Sequence, residues 1–331
     1  MRAIVIRSYG GPEQLQLVEV PEPTPREGHV VVEVKAFGLN HAEIYFREGV
    51  WGDVAKISGI ECVGRVKVDP SGRFREGQCV AALMGGMGRT IDGSYAEYTN
   101  VPISNVVALN AKMPWEELAA LPESYATAWT CLMRNLALQS GQTVLIRGGT
   151  SALGQAAINI AAQAGANVIA TTRRPERFDS LRALGAETVL KERMPKVDDS
   201  LSQSIRAMYP EGIDAVLDLI GTATVLDSMR VVRPDGHICM AGFLGGGEPI
   251  AAFNPLLHMP SGIQLSFFAS AFTFGSDEYP LSDIPFQDIV DRTARGIYRA
   301  KPARIFRFEQ IQEAHRLMEA GEANGKIVVV L

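Results

Sequence analysis

"TVLIRGGTSALGQAAINIAAQAGANVIATTRRPER", residues 143–177, decides how this chain folds. A short apolar run, 143–147, feeds the tight turn Gly148-Gly149, and a helical pattern begins near Leu153. Leu153, Ala156, Ala157, Ile160, Ala161 and Ala164 recur at helical spacing and make one apolar face. A second apolar run, "ANVIATT", follows. Strand, glycine turn, helix and strand is the order that a dinucleotide-binding unit requires, with the helix N-terminus presenting free N–H groups to a diphosphate. Gly154 falls where close helix–strand packing leaves no room for a side chain. The middle position of the three-glycine pattern is Ser151, which adds a hydroxyl donor but also a Cβ, so a phosphate is expected to sit slightly differently from its place in an all-glycine loop. Gly148, Gly149, Thr150, Ser151, Ala152 and Leu153 are the candidate phosphate-binding residues.

The tip of the second strand selects the nucleotide. NAD sites usually place an acidic residue ~20 positions on, to hold the ribose 2′-hydroxyl. Here the strand ends "IATTRRPER", with arginines in place of an acid. A 2′-phosphate carries roughly −1.5 to −2 charges, as phosphomonoesters do, and guanidinium groups pair with it bidentately. Thr172, Arg173, Arg174 and, one turn on, Arg177 therefore predict NADPH rather than NADH. Solvated surface arginines are the alternative. Pro175 reads as the first residue of a helix, where cations are mildly unfavourable unless an anion is bound beside them.

Strands and helices go on alternating through "PERFDSLRALG", "AETVL", "DAVLDLI" and "HICMAG". That predicts a parallel sheet, its strands nearly all apolar because helices cover both faces. Upstream the rhythm differs. Short strands at 3–7, 15–20, 29–37, 61–68, 78–84 and 94–101 are separated by turn-forming stretches such as "PEPTPREG" and "DPSGRFREG". One helix interrupts them, with Asn40 as its N-cap. Residues 115–138 read as helix, and after about 270 the chain is helical until the strand "KIVVVL", which must pair with the N-terminal domain. The expected fold is α/β, a Rossmann-type doubly wound parallel sheet (123–271) inserted into a mainly β domain (1–122 and 272–331).

Composition narrows the function. A chain of 331 residues, 47% of them hydrophobic, supplies two cores, since single cores stop growing near ~250–300 residues. A net charge of −5 argues against nucleic acid or an anionic membrane as partner. No apolar run approaches the ~20 residues of a membrane span, and the opening residues 1–7 read as a strand rather than a signal peptide. Cys62, Cys79, Cys131 and Cys239 form no CxxC pair, which reads as reduced thiols of a cytoplasmic protein.

The stretches "MRAIVIRSYGGPEQLQLVEVPEPTP", "VKAFGLNHAEIYFREG", "GIECVGRV", "GSYAEY", "LPESYATAWTCL" and "GKIVVVL" resemble, in this order, the medium-chain dehydrogenase/reductase superfamily. Within it the chain is most similar to the zinc-independent quinone oxidoreductases. The resemblance spans essentially the whole sequence and implies a GroES-like catalytic domain around the Rossmann domain. In the zinc alcohol dehydrogenases of the superfamily a Cys stands at the position of Asn40, and Gly-His-Glu at that of Gly59-Ile60-Glu61. Asparagine is a poor zinc ligand and isoleucine none. His41 adjoins the lost Cys position, but one residue along a helix turns a side chain by ~100°. No metal site is expected.

The resemblance also implies that Asn40, Tyr45 and Trp51 line the cleft beside the nicotinamide. Asn40 would orient nicotinamide or acceptor, Tyr45 would donate to a carbonyl, and Trp51 would stack on a planar acceptor. From the residues alone, Asn40 is equally a helix cap, and Tyr45 and Trp51 are equally core aromatics. Thr127 matches a family threonine on the nicotinamide side, which Gly242, Phe243 and Leu244 should approach from a strand end. Where related enzymes often carry a tyrosine beside the adenine, this chain has Glu192.

Alcohol oxidation without a metal would need another way to polarise the C–O bond and take its proton, and no Tyr-x-x-x-Lys motif supplies one. Hydride transfer to an already electron-poor acceptor avoids the difficulty. The expected function is therefore zinc-independent, NADPH-dependent reduction of quinones or α,β-unsaturated carbonyls (enones). The alternatives are an enoyl-thioester reductase and an NADPH-binding sensor or structural protein. Finally, "IQLSFFAS", 263–270, is apolar enough that an exposed edge would pair with its own copy, so a homodimer is expected.

Overall fold

Alternating apolar residues build the first part of the chain into antiparallel sheet. A computed structural model describes residues 1–193 and 200–331, and the chain divides into two units, Met1–Ala126 with Ser270–Leu331, and Thr127–Ala269. The first unit opens with β1 (Arg2–Ile6) and β2 (Leu15–Glu19), an antiparallel ribbon. There follow β3 (His29–Gly38), α1 (His41–Glu48), β4 (Glu61–Val68), β5 (Cys79–Leu83), β6 (Tyr98–Pro102), β7 (Val106–Ala108) and the short α2 (Trp115–Leu118). β3 is the hub, pairing antiparallel with both β4 and β6. Its Val30, Val32 and Val34 point to one side, as period two requires, and enter the core with Phe37 and Tyr95.

The helix expected over 115–138 is broken. α2 stops at Leu118, α3 (Pro122–Thr130) starts afresh, and a single π-helical stretch, Cys131–Asn135, finishes it. Pro122 lacks an N–H and disfavours helical geometry in the residue before it, so a new helix begins there.

The second unit runs β8 (Thr143–Arg147), α4 (Ala152–Gln163), β9 (Asn167–Thr172), α5 (Phe178–Leu184), β10 (Thr188–Lys191), α6 (Ser200–Met208), β11 (Ile213–Asp218), α7 (Val225–Met229), β12 (Val232–Met240), α8 (Pro255–His258) and β13 (Gln264–Phe267). Among the described residues these strands form one parallel sheet in the order β10-β9-β8-β11-β12-β13. The order reverses between β8 and β11, the switch point where such sheets leave a crevice at their carboxyl ends.

The chain then returns to the first unit with α9 (Ser270–Thr273), α10 (Phe286–Ala294), β14 (Arg304–Arg307), α11 (Ile311–Glu319) and β15 (Ile327–Val330). β15 lies between β14 and β3, so the strand "KIVVVL" does pair with the N-terminal sheet. No helix among the described residues is long and apolar enough to cross a membrane.

Each unit is tied together by buried polar groups. In the first, the fully buried Glu43 of α1 accepts hydrogen bonds from the Asn40 N–H (2.6 Å), the Ile60 N–H (3.1 Å) and the Tyr95 hydroxyl (3.1 Å). The same hydroxyl lies 3.0 Å from His315 Nε2 on α11. If it donates to Glu43, it accepts from a neutral His315 protonated on Nε2. Arg47, also fully buried, pairs with Glu319 at the end of α11. Loss of hydration pushes the Glu43 carboxyl up to about 7. Burial, helped by the Arg47 charge, takes the His315 imidazole down to about 3.

In the second unit the fully buried Arg147 ends β8. It holds Glu192 bidentately (3.0 and 2.5 Å) and reaches Asp227 (2.9 Å) and Ser228 (3.0 Å). The Thr171 hydroxyl adds 2.9 Å to Glu192, so β8, β9, the end of β10 and α7 converge on one charge cluster. Arg147→Met leaves two buried carboxylates without their cation, which should cost ~3–5 kcal/mol in denaturant unfolding. A pH test addresses α11. His315 is neutral when folded, so its contribution is complete above its ordinary value near 6.5 and is lost as pH falls toward about 3. The Tm of the wild type should therefore fall more steeply from pH 6.5 to pH 4 than that of His315→Gln, by thermal denaturation at matched ionic strength.

Candidate active site

The nucleotide loop is built from close backbone approaches. Gly148 has φ +83°, a conformation that L side chains rarely adopt, and it makes the turn out of β8. A Cβ on Gly154 would lie 2.4 Å from the Gly148 carbonyl oxygen and 2.8 Å from the Gly149 Cα, so only glycine lets α4 start this close to the strand. Ser151 is the N-cap of α4: its hydroxyl accepts from the Gly154 N–H (3.0 Å) and donates to the Gly148 carbonyl (2.9 Å). The hydroxyl hydrogen is therefore engaged inside the loop, which corrects the expectation that Ser151 offers it to a phosphate. The donors left for an anion are backbone groups. Ala152 and Leu153 stand in the first turn of α4, where N–H groups have no intrahelical acceptor.

Thr172 ends β9 buried, and its hydroxyl oxygen accepts from the Arg174 N–H at 3.1 Å. Arg173 is exposed and Arg174 half-buried. Pro175 opens a 3-10 turn (Pro175–Arg177) that leads directly into α5. Arg177 Nε is buried without a hydrogen-bond partner, a donor awaiting an acceptor. These features fit a phosphorylated nucleotide. After β12, Gly242, Phe243 and Leu244 fold back along β11: the Leu244 N–H donates to the Leu219 carbonyl (3.2 Å), and a Cβ added to Gly148 would lie 3.1 Å from Leu244 Cδ1. The structure thus brings the 242–244 segment onto the glycine turn. Thr127 is buried on α3. Glu192, just after β10, is the buried counter-ion of Arg147, so the departure noted in the sequence is a structural ion pair.

In the other unit Asn40 caps α1 through its own backbone N–H on Glu43, while its carboxamide faces different partners. Lys326 Nζ donates to Asn40 Oδ1 at 2.7 Å and forms an ion pair with Glu61. Asn40 Nδ2 donates to the same Glu61 oxygen at 2.9 Å, and the Glu123 N–H holds the other oxygen at 2.8 Å. Glu61 is fully buried and Lys326 nearly so, whereas Asn40 is half-buried. Ile60, buried beside Glu61, has no ligating atom. His41 is exposed at the start of α1. Among the described residues no group of three or more His, Cys, Asp or Glu is placed to hold a metal ion.

Tyr45 and Trp51 form an aromatic pair with ring centroids 4.9 Å apart, and Phe46 meets Trp51 edge-on at 5.6 Å. Gly49, at φ +73°, ends α1 and turns the chain toward Trp51. Trp51 is 47% exposed and Tyr45 half-buried, so neither is a core aromatic. Partial burial raises the Tyr45 hydroxyl above its ordinary range, with Glu48 adding to the effect. Sequence reasoning missed Lys326, the buried role of Glu61, and the Glu43–Tyr95–His315 network. A single lysine next to an apolar strand was the only local signal for the first.

Comparison with known proteins places the fold in a family. The model of the alcohol dehydrogenase GroES-like domain matches residues 26–111, and that of the zinc-binding dehydrogenase matches residues 152–282. Human quinone oxidoreductase is 25% identical over 344 residues, covering 100% of this chain and 98% of its own length. A crystal structure of an NAD-dependent alcohol dehydrogenase superposes with a TM-score of 0.82 at 26% identity, covering 100% of both chains. Quinone oxidoreductase of Escherichia coli, solved in complex with NADPH, superposes with a TM-score of 0.86 over 100% of both chains, at 20% identity a likeness of fold alone. The chain belongs to the medium-chain dehydrogenase/reductase superfamily of oxidoreductases, within its quinone oxidoreductase-like family.

Proposed function

We propose that this protein is an NADPH-dependent reductase that transfers hydride to quinones or α,β-unsaturated carbonyls without zinc. The donor set around Asn40 carries the reading. In place of a thiolate and an imidazole it holds an amide, an apolar Ile60, and a Glu61 carboxylate already neutralised by the Lys326 ammonium. Such a set offers hydrogen bonds rather than Lewis acidity, and it suits an acceptor that is electron-poor from the start.

NADPH, when bound, supplies the hydride. The backbone of 148–153 would hold its diphosphate. Thr172, Arg173, Arg174 and Arg177 would hold the 2′-phosphate, a role that the unpartnered Arg177 Nε supports. Thr127, Gly242, Phe243 and Leu244 would stand on the nicotinamide side. Asn40 would orient the acceptor, Tyr45 would donate to its carbonyl, and the exposed Trp51 would stack on its plane, holding the reacting atoms in register. Solvent or a hydroxyl supplies the proton. Cys62, Cys79, Cys131 and Cys239 are thiols rather than disulfide halves, which suits a cytoplasmic setting.

A homodimer through β13 belongs to the same reading. This strand is the edge of its sheet, with Leu265 39% and Phe267 52% exposed, and Leu256 and Leu257 stand even more open just before it. Light scattering should give twice the 35.8 kDa chain mass, and Leu265→Lys with Phe267→Lys should reduce it to the monomer.

Steady-state oxidation of NADPH and NADH by chelator-treated protein, with ortho-quinones, para-quinones and simple enones, tests the activity. Turnover with NADPH and little with NADH is expected. Arg173→Ser with Arg174→Ser should raise the KM for NADPH about ten- to one-hundred-fold, the scale of lost hydrogen bonds to a charged group, and leave that for NADH unchanged. A preference for NADH would sink the phosphate role of the arginines. Turnover confined to enoyl thioesters would reassign the acceptor. Silence with every acceptor, despite NADPH binding, would mark a binding protein.

A further inference from the structure

Asn40 is held by an unusual pair of neighbours. Lysine has only donors, so the Asn40 atom 2.7 Å from Lys326 Nζ must be Oδ1, and the flip state of the carboxamide is decided. Nδ2 then carries two hydrogens. One is engaged with Glu61 at 2.9 Å. The other has only the Gly38 carbonyl at 3.5 Å, too long for a good N–H···O bond. The side chain is half-buried, so this second hydrogen is available to something outside the protein.

The backbone is shaped to admit the ammonium. A Cβ on Gly38, the last residue of β3, would lie 2.2 Å from Lys326 Cε, 2.6 Å from Glu61 Oε1 and 2.9 Å from Lys326 Nζ. Stability alone does not call for this arrangement, because well-packed apolar residues often replace a buried ion pair at no loss. The ammonium donating to Oδ1 draws electron density from the amide and strengthens its N–H as a donor, as linked hydrogen bonds polarise one another.

We propose that Lys326, with Glu61 as its counter-ion, is a positioning residue that orients and polarises the Asn40 Nδ2–H toward the acceptor's carbonyl oxygen. The inference rests on the reading that Asn40 faces the acceptor. When hydride adds to the acceptor carbon, its electron pair displaces π electrons onto that oxygen. The Asn40 donor stabilises the resulting negative charge until solvent supplies a proton. No proton leaves Lys326, whose charge acts through the amide.

The test is a double-mutant cycle of Lys326→Met and Asn40→Ala, run beside Gly38→Ala, which displaces the ammonium while leaving both side chains in the protein. Each variant is assayed with NADPH and a para-quinone for kcat, acceptor KM and NADPH Kd, and for the isotope effect with nicotinamide-4-deuterated NADPH. Lys326→Met and Gly38→Ala should each lower kcat about ten- to one-hundred-fold, near the cost of weakening one oxyanion donor. NADPH Kd should be unchanged and the isotope effect should rise. In the Asn40→Ala background, Lys326→Met should cost nothing more. Equal losses from Lys326→Met in both backgrounds, or an unchanged kcat in Gly38→Ala, would overturn the proposal. Gly38→Ala carries the test by itself if Lys326→Met does not fold. Absence of wild-type turnover with every acceptor would overturn the reductase reading beneath it, an outcome distinct from a working enzyme whose losses simply multiply.

Discussion

Arg147 has no exposed surface, yet it stands one residue before the glycine turn on which the nucleotide loop is hung. A guanidinium withdrawn from water must meet its countercharge within hydrogen-bond reach, or the fold loses several kcal/mol. That demand draws in Glu192 from the end of β10 and Asp227 from α7, and Thr171 from β9 joins by its hydroxyl. Four separate pieces of chain are registered against one another under the loop. The same constraint operates in the other unit, where Lys326 must find Glu61 and thereby settles the carboxamide of Asn40. Both candidate sites are in this sense built on the neutralisation of a buried cation.

The nucleotide unit was legible because its signals are local. A strand, a glycine turn and an amphipathic helix occupy about thirty consecutive residues, within the length of one βαβ unit, and each piece predicts its neighbour. Most strands of the first unit were found for the same reason, by alternation between turn residues, whereas β7 and β14 were not read and the segment after 270 was taken as helical up to its last strand. Where a local pattern was interrupted by backbone chemistry, as at Pro122, the reading overran and joined two helices into one.

The polar architecture was legible only in part, because its partners are distant. Lys326 reaches back 286 residues to Asn40 and 265 to Glu61. Glu43 lies in "NHAEIYFREG", where nothing in the neighbouring residues marks its carboxyl as buried, and only the packing of Tyr95 and His315 shows that it is inside. Ser151 was read as adding a hydroxyl donor for the phosphate, since the sequence does not show that Gly148 and Gly154 lie close enough to engage that hydroxyl. Tyr45 and Trp51 illustrate the opposite case: aromatic residues in a small β domain suggest a core, and their open position is a product of the turn at Gly49.

The place of β15 between β14 and β3 also sets an order in time. Domains tend to fold as units while the chain is being made. Residues 127–269 are contiguous, so the Rossmann sheet is complete in the nascent chain before residue 270 is added. The first unit has its first seven strands still earlier, with β4 and β6 already on β3, but the end of β3 at residues 36–38 lacks its β15 partner until residues 327–330 emerge. Between residue 270 and residue 327 a finished nucleotide fold therefore coexists with a sheet whose β3 end is still unpaired. That interval is when the nascent chain is most exposed to mispairing and has most need of a chaperone.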